Sequence, residues 1–282
     1  MKKERKIQLA RHAGFCFGVR RAIKIAQDSL AQKDGQIFCW GELIHNTCVV
    51  KDLEKKGLRV VKGLQEIPRG GSLIIRSHGA APEIFSEAVK RGIKIIDATC
   101  PFVQKAQEIA KDFYQKKYQV IIVGDKKHPE VMGIRANTKN TAIVVSGEKE
   151  VAKVKNFPQI GLLTQTTGKI ELLKIVAAIL LEKTKNLTVA NTICLDSFSK
   201  KEEIKTLAKN ADILLVIGDR KSNNTKKLFE VGVACGIKTY QIESAKEIKK
   251  AWLQGKSKIG LTAGASTPDV LIKQVEDKIK QC

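Results

Sequence analysis

The phrase Gly124-Asp125-Lys126-Lys127-His128 begins 24 residues after Cys100, and this pairing of a cysteine with a later glycine-acid phrase occurs three times along the chain. The counterparts are Gly41-Glu42-Leu43-Ile44-His45, 25 residues after Cys16, and Gly218-Asp219-Arg220-Lys221-Ser222, 24 residues after Cys194. Repeats that fold alike place equivalent residues at equivalent positions, so a repeat of about 90 residues predicts three thiols that converge on a pseudo-threefold axis. Three converging thiols indicate a metal site.

Short apolar runs alternate with amphipathic helical patterns along the whole chain, as is typical of parallel sheets built from βαβ units. The runs cover residues 7–10, 37–40, 58–61 and 73–75 in the first copy, 93–96, 120–123, 142–145 and 160–163 in the second, and 187–190, 213–217, 238–242 and 259–261 in the third. We therefore predict an α/β trefoil of three pseudo-threefold-related domains, residues 1–91, 92–185 and 186–282, around a central metal site. Each domain should contain a four-stranded parallel sheet flanked by helices.

Cysteine usage and the lack of long apolar segments predict a soluble, cytoplasmic protein. Seven cysteines with no close CxxC pair are untypical of a secreted disulfide framework and indicate a reducing compartment with some thiols committed to a metal. The N-terminus lacks the apolar region of a signal peptide, and the longest apolar stretch is far shorter than the ~20 residues that span a bilayer. The cysteines outside the repeat positions are interpreted as buried apolar residues or incidental thiols: Cys39, Cys48, Cys235 and Cys282.

The net charge of +22 suggests a polyanionic partner, but its distribution argues against nucleic acid. Lysines are spread over the outer faces of predicted helices, and only 5% of the residues are aromatic, so the chain lacks a platform of rings on which bases could stack. The charge is therefore expected to be a solvated lysine-rich surface, or one that steers anionic substrates or acidic protein partners.

Polar phrases follow the second and fourth predicted strands of each copy, at the edge where parallel sheets bind ligands. These phrases are His45-Asn46, His128-Pro129-Glu130 and Ser222-Asn223-Asn224 after second strands, and Ser77-His78-Gly79, Thr164-Gln165-Thr166-Thr167-Gly168 and Gly264-Ala265-Ser266 after fourth strands. Around a common axis they would surround one cavity with the cysteines at its floor. Converging helix N-termini favour a strongly anionic ligand such as a diphosphate. Taken singly, any of these residues could serve only as a helix cap.

The spacing of the three cysteines leaves the type of metal open. Intervals of 84 and 94 residues lack the paired pattern of structural zinc sites. A cubane iron-sulfur cluster held at three irons would suit a threefold set of thiolates and would leave its fourth iron open to substrate. A catalytic zinc with mixed Cys and His ligands, or three buried cysteines at equivalent helix starts, also fits the spacing.

Glu130 is the carboxylate that distinguishes the second copy, because Thr47 and Asn224 stand at similar places in the other two copies. An acid in such a cavity can transfer a proton to a reacting group. The simpler interpretation is a carboxylate that interacts with the dipole of its own helix.

Seven motifs extend these phrases and are specific in combination. They are Gly14-Phe15-Cys16-Phe17-Gly18-Val19, His45-Asn46, Ser77-His78-Gly79, Asp97-Ala98-Thr99-Cys100-Pro101, His128-Pro129-Glu130-Val131, Thr164-Gln165-Thr166-Thr167 and Thr262-Ala263-Gly264-Ala265-Ser266. Together they resemble the 4-hydroxy-3-methylbut-2-enyl diphosphate reductase family, nearly from end to end. The resemblance implies three α/β domains around a 4Fe-4S cluster. It also implies reductive removal of an allylic hydroxyl, giving isopentenyl and dimethylallyl diphosphates in the non-mevalonate isoprenoid pathway.

The resemblance further implies roles for individual residues. Cys16, Cys100 and Cys194 would hold the cluster and leave one iron open, while Glu130 would donate a proton and Thr166 would orient the substrate hydroxyl. The allylic diphosphate would be bound by His45, His78, His128, Thr166, Thr167, Ser197, Ser222, Asn223, Asn224 and Ser266. Electrons would come from ferredoxin or flavodoxin, acidic proteins that the positive surface could steer.

One segment departs from the family pattern. Asp196-Ser197-Phe198-Ser199-Lys200-Lys201 stands where members usually have Ala-Thr and, after two variable residues, Arg-Gln. Ser197 keeps a hydroxyl, Lys200 keeps a charge without the planar fork of arginine, and Asp196 adds a carboxylate that could lower the potential of a cluster. The departure motivates a rival hypothesis, an iron-sulfur electron carrier or redox sensor. A carrier has no need for the histidines, Glu130 and Thr166, so the reductase is the leading hypothesis.

Overall fold

The structure, a computed structural model, describes residues 5–32 and 35–281. The strands are β1 (Lys6–Leu9), β2 (Ile37–Trp40), β3 (Leu58–Val61), β4 (Ser72–Ile75), β5 (Lys94–Asp97), β6 (Gln119–Val123), β7 (Ile143–Val145), β8 (Gln159–Thr164), β9 (Asn186–Ala190), β10 (Ile213–Ile217), β11 (Thr239–Ile242) and β12 (Lys258–Ala263). The helices are α1 (Phe17–Ala31), α2 (Thr47–Lys55), α3 (Pro82–Lys90), α4 (Pro101–Gln115), α5 (Pro129–Ala136), α6 (Glu148–Val151), α7 (Ile170–Leu181), α8 (Leu195–Asn210), α9 (Asn223–Ala234), α10 (Lys250–Leu253) and α11 (Asp269–Gln281). Within the described ranges, every helix is too short or too polar to span a bilayer.

These strands form three four-stranded sheets in which neighbouring strands run parallel. The order is β3-β2-β4-β5 in the first sheet, β7-β6-β8-β9 in the second and β11-β10-β12-β1 in the third. All three sheets therefore share one topology. The predicted α/β class, with three four-stranded parallel sheets flanked by helices, is confirmed.

The strand that opens each predicted copy joins a different sheet from the one expected. β5 pairs with β4, β9 pairs with β8, and β1 pairs with β12. The expectation that the four apolar runs of one copy form one sheet is therefore wrong. The reason is that β4, α3 and β5 form a βαβ unit, whose crossover returns the next strand to the same sheet. The domain boundaries near residues 91 and 185 stay a prediction about the repeat.

The described residues divide into two compact units. Residues 5–20, 44–52 and 195–281 form one unit, which contains the third sheet and is called here the third-sheet unit. Residues 21–32, 35–43 and 53–194 form the other, which contains the first and second sheets and is called the two-sheet unit.

The central strands are buried on both faces. In β6, Val120 and Ile122 pack with residues of α4 and α5, whereas Ile121 and Val123 pack with residues of α6 and α7. Residues 213–217 of β10 divide in the same way between α11 on one face and α8 and α9 on the other. Helices on both faces explain why these strands are continuous apolar runs rather than alternating ones.

Candidate active site

The glycine-acid phrases end β6 and β10 and lead the chain into α5 and α9. A Cβ at Gly124 would lie 2.8 Å from Cγ2 of Val131, and one at Gly218 would lie 2.5 Å from Oγ1 of Thr225. Gly218 also has a φ of +150°, which residues with a side chain rarely adopt. Glycine therefore allows the first turn of each helix to approach the strand end closely, at the carboxyl edge of the sheet.

Glu130 and Thr166 form a buried pair at this edge of the second sheet, with exposures of 2% and 6%. The Thr166 amide donates to Glu130 Oε1 at 2.6 Å, and the Thr166 hydroxyl lies 3.0 Å from Oε2. His128, the N-cap of α5, accepts the Glu130 amide through Nδ1 at 3.2 Å. In the same loop as Thr166, Gln165 Nε2 donates to the hydroxyl of Thr167 at 3.1 Å. Both carboxyl oxygens of Glu130 are thus held in a fixed orientation.

His78 lies beside His128, with ring centroids 5.4 Å apart and the rings nearly perpendicular. His78 follows β4 of the first sheet, whereas His128 follows β6 of the second. The loop of His78 is held by Ser77, whose hydroxyl donates to the Leu43 carbonyl at 3.2 Å. The structure therefore brings together two of the three predicted histidines within the two-sheet unit.

Cys100 and Cys194 belong to the same unit, and each is anchored through its backbone. Cys100 is the N-cap of α4, and its amide donates to the Ser77 carbonyl at 3.0 Å. The Cys194 amide donates to the Thr166 carbonyl at 2.9 Å. Both cysteines are therefore tied to loops that carry predicted site residues, and both residues are half-buried.

The ionisation of Cys100 reports on its surroundings. Burial raises the pKa of the Cys100 thiol, the amides of the first turn of α4 lower it, and the negative charges of Cys194 and Glu130 raise it further. Two thiols and a carboxylate therefore share one neighbourhood in which each additional negative charge is unfavourable. A bound cation would remove that penalty.

In the third-sheet unit, Cys16 lies beside the loop that follows β12. The Cys16 amide donates to the Ala265 carbonyl at 3.2 Å, and the Ser266 hydroxyl donates to the His45 carbonyl at 2.8 Å. Asn224 Oδ1 accepts the Ala265 amide at 3.0 Å. Four of the predicted site residues therefore meet around this one loop.

The other predicted residues of this unit lie in the first turns of α8 and α9. Ser222 is the N-cap of α9 and accepts the Thr225 amide at 3.3 Å, and Asn223 is the half-buried first residue of that helix. Ser197 in α8 is 3% exposed, and its hydroxyl lacks a hydrogen-bond partner among the described residues. The substrate-binding roles of these residues stay predictions.

Comparison with known proteins identifies the family. The sequence profile of the LytB protein family matches residues 7–280. The chain belongs to this family. It is 43% identical over 275 residues to the 4-hydroxy-3-methylbut-2-enyl diphosphate reductase of Geobacter metallireducens, covering 98% of this chain and 97% of that protein. It is likewise 43% identical over 277 residues to the reductase of the same name from Caldanaerobacter subterraneus, covering 97% and 96%.

Solved structures agree with this assignment to the LytB family. One is (E)-4-hydroxy-3-methyl-but-2-enyl diphosphate reductase, described as the terminal enzyme of the non-mevalonate pathway, with a TM-score of 0.75, 36% identity and coverage of 99% of this chain and 100% of that one. Another is the E-1-hydroxy-2-methyl-but-2-enyl-4-diphosphate reductase from Plasmodium falciparum, with a TM-score of 0.91, 27% identity and coverage of 97% and 87%. The resemblance seen in the motifs is confirmed.

The segment that departs from the LytB family pattern forms an ion pair within α8. The Lys200 ammonium lies 2.9 and 2.7 Å from the two carboxylate oxygens of Asp196. The Lys200 side chain is 1% exposed, and that of Asp196 is 26% exposed. The added carboxylate is therefore compensated within its own helix, which weakens the motive for the rival hypothesis of a carrier or sensor.

The cysteines outside the repeat positions differ in exposure. Cys39 is buried, whereas Cys48 and Cys235 are exposed, and Cys282 lies outside the described residues. Burial, partly opposed by the positive charge of Arg76, raises the pKa of Cys39 to about 12. Cys39 is therefore a neutral core residue, as its position predicted.

Asp97 was missed by the sequence analysis as a residue that shapes the site. Its carboxylate accepts the Thr99 amide at 2.9 Å, the Thr99 hydroxyl at 2.5 Å and Gln104 Nε2 at 2.9 Å. These bonds shape the loop that ends at Cys100. A signal was present, because an aspartate two residues before an amide that it accepts is typical of an Asx turn, and Cys-Pro follows at a helix start.

Proposed function

We propose that this member of the LytB family is a 4-hydroxy-3-methylbut-2-enyl diphosphate reductase, which yields isopentenyl and dimethylallyl diphosphates. Removing the allylic hydroxyl as water consumes two electrons and two protons. The observation that carries the proposal is the buried pair of Glu130 and Thr166 beside Cys100 and Cys194. A positioned proton donor next to redox ligands serves a reductase, whereas an electron carrier has no use for one.

The proposal assigns Cys16, Cys100 and Cys194 to one 4Fe-4S cluster with one iron free for substrate. The donor set supports a cationic group, because burial, and after it the charges of Cys194 and Glu130, raise the pKa of Cys100 in the absence of a counter-charge. When bound, the cluster would relay electrons from the external donor to the substrate. A zinc ion would suit the thiolates but cannot carry electrons.

Glu130 can hold a proton at one defined atom. Because the Thr166 amide donates to Oε1, that oxygen acts as an acceptor, and an added proton resides on Oε2. The Thr166 hydroxyl, 3.0 Å from Oε2, can then accept this proton's hydrogen bond and donate its own hydrogen to the substrate hydroxyl. The pair would thus pass a proton to the leaving oxygen and would keep its geometry in both protonation states.

The diphosphate would be bound by imidazoles, hydroxyls and helix N-termini. In the two-sheet unit, His78, His128 and Thr167 would contribute, with the N-terminus of α5 behind His128. In the third-sheet unit, the contributing residues would be His45, Ser197, Ser222, Asn223, Asn224 and Ser266. Neutral hydroxyl and amide groups leave the charge of the diphosphate to be balanced by helix dipoles and histidines.

An acidic electron-transfer protein, ferredoxin or flavodoxin, would reduce the enzyme. The net charge of +22 supports this proposal, because it would accelerate the encounter with such a partner. The rate of reduction should then fall as the ionic strength rises.

Anaerobic turnover of 4-hydroxy-3-methylbut-2-enyl diphosphate with a reduced viologen dye tests the proposal. We expect dye oxidation that depends on substrate, together with both products, from protein that carries about four irons per chain and labile sulfide. Protein that contains four irons and accepts electrons but leaves the substrate intact would be a carrier or sensor. One zinc with no labile sulfide would overturn the cluster assignment.

A further inference from the structure

Arg21 contacts the loop that leads into Cys100. Arg21 is a half-buried residue of α1, and its Nη1 donates to the Thr99 carbonyl at 3.0 Å, while Nη2 lies 3.4 Å from the Asp97 carbonyl. These partners are 78 and 76 residues away along the chain. A single guanidinium therefore connects α1 with the loop of residues 97–100 in the two-sheet unit.

The amides of this loop are satisfied without Arg21. The Ala98 amide donates to the Ile75 carbonyl at 3.0 Å, the Thr99 amide to Asp97 Oδ1 at 2.9 Å, and the Cys100 amide to the Ser77 carbonyl at 3.0 Å. Arg21 supplies the complementary half by donating to carbonyls. Thr99 is 1% exposed, so water has little access to replace Arg21 at its carbonyl, whereas Asp97 is half-buried.

The peptide group between Thr99 and Cys100 is held at both ends. Its carbonyl accepts from Arg21, and its N–H donates to Ser77. Because a peptide group is planar, two bonds at opposite ends fix its orientation, and with it the N and Cα atoms of Cys100. The backbone of Cys100 is extended, with φ −61° and ψ 132°. The backbone of Cys100 in turn sets the direction of its Cα–Cβ bond, and with it the positions that Sγ can reach in its staggered rotamers.

We propose that Arg21 is a positioning residue that fixes the peptide plane before Cys100 and thereby aims the Cys100 thiol. Arginine suits this role because its planar fork presents two donors to two carbonyls. A lysine at this position would offer a single ammonium on a flexible chain, without the planar fork that spaces two donors. The inference rests on the proposed function only in taking Cys100 as a cluster ligand.

Metal-free protein tests the loop itself. Mass spectrometry measures two quantities in Arg21→Met and Arg21→Lys. The first is amide hydrogen exchange at residues 98–100, and the second is the alkylation rate of Cys100 relative to Cys194 in the same molecule. Arg91→Met is the matched control, because Arg91 makes an exposed surface pair with Glu87 at 2.8 Å in the same unit. Arg21→Met should raise exchange about ten- to hundredfold, with a smaller increase in Arg21→Lys.

The inference would be overturned if the exchange rate and the relative alkylation rate of Arg21→Met both lay within twofold of those of Arg91→Met. If Arg21→Met does not fold, the same threshold applied to Arg21→Lys decides.

A second experiment uses anaerobically loaded protein. It measures the electron paramagnetic resonance spectrum of the reduced cluster and the rate of iron loss to a chelator. Both the spectrum and the rate of iron loss should change in Arg21→Met and recover partly in Arg21→Lys. If neither changed, Arg21 would not orient the Cys100 ligand. If the wild type loads no cluster, the proposed function fails, while the exchange measurement still decides the role of Arg21.

Discussion

Helices α5 and α9 follow equivalent strands, β6 and β10, yet two residues after the N-cap one carries a carboxyl group and the other a carboxamide. In α5, Glu130 accepts the Thr166 amide at 2.6 Å. In α9, Asn224 accepts the Ala265 amide at 3.0 Å. Thr166 and Ala265 both lie in the loop after the neighbouring strand, β8 or β12. The same bridge from helix start to loop is therefore built once with a carboxyl group and once with an amide.

The comparison separates what the fold requires at this position from what the chemistry requires. A carboxyl and a carboxamide both offer an oxygen that can accept a backbone N–H, so both can complete the bridge. A carboxyl group alone can give up a proton under ordinary conditions. We infer that the bridge is a structural element of the repeat and that one copy has added acid chemistry to it.

The largest expected effect concerns the three cysteines that are proposed to hold the cluster. Changing Cys16, Cys100 or Cys194 to Ser should remove most of the cluster and reduce turnover below detection, because a cluster held at three irons loses a third of its anchors. Iron and sulfide analysis with an activity assay checks this. Cys235→Ser is the control, since Cys235 is exposed and outside the repeat positions. Loss of cluster in Cys235→Ser with Cys194→Ser unaffected would show that the third ligand is misplaced.

The next largest effect is expected from removing the carboxyl group of Glu130. Glu130→Gln converts the carboxyl bridge into an amide bridge like that of Asn224, so the Thr166 amide keeps its acceptor and the fold should be preserved. Turnover should fall by about two to four orders of magnitude, as expected for loss of a positioned general acid. Cluster content and diphosphate binding, measured by iron analysis and calorimetry, should stay near wild type.

A contrasting variant shows whether the loss lies in chemistry or in binding. His78→Ala should raise KM with little effect on kcat, because a phosphate contact that is made equally in ground and transition states does not change the chemical step. If Glu130→Gln kept a near-normal kcat while binding collapsed, Glu130 would only organise the pocket.

The reverse exchange should have a smaller effect. Asn224→Asp keeps an oxygen for the Ala265 amide but adds a negative charge to a residue that is 8% exposed. Repulsion of the diphosphate should raise KM about ten- to hundredfold, with kcat changed much less. Steady-state kinetics of Asn224→Asp beside Asn224→Ser, which adds no charge, would measure it. KM values equal to that of the wild type in both variants would remove Asn224 from the diphosphate site.

The smallest effect concerns Cys39, a thiol of the first sheet with no part in either bridge. Its folded-state pKa of about 12 lies above the ordinary value of 9.0, so ionisation costs free energy in the folded state but not in the unfolded one. The contribution of the Cys39 thiol to the free energy of unfolding is therefore complete below pH 9.0. It is lost as the pH rises toward about 12, because the unfolded chain ionises first. Denaturant unfolding from pH 8 to 11 should show a steeper loss of stability in the wild type than in Cys39→Ala. Parallel curves would contradict the assignment.

Much of the local structure could be predicted from the sequence because its causes are local. Apolar runs marked the strands, and the amphipathic patterns between them marked helices such as α4. The carboxyl-edge loops were also identified, because parallel strands place their ends together. The contact of Arg21 with Thr99 could not be predicted, since nothing near either residue specifies a partner 78 positions away.

The sequence by itself determined that the chain is an α/β repeat with one thiol and two polar loops per copy, because strand patterns, glycine-acid phrases and helix starts depend on neighbouring residues. The tertiary structure alone decided that β1, β5 and β9 complete sheets other than those of their own predicted copies. It also decided that Glu130 faces Thr166 and that Arg21 holds the loop before Cys100. The physical reason is that hydrogen bonds between distant segments depend on how crossover helices and buried faces pack, and no local pattern encodes the partner.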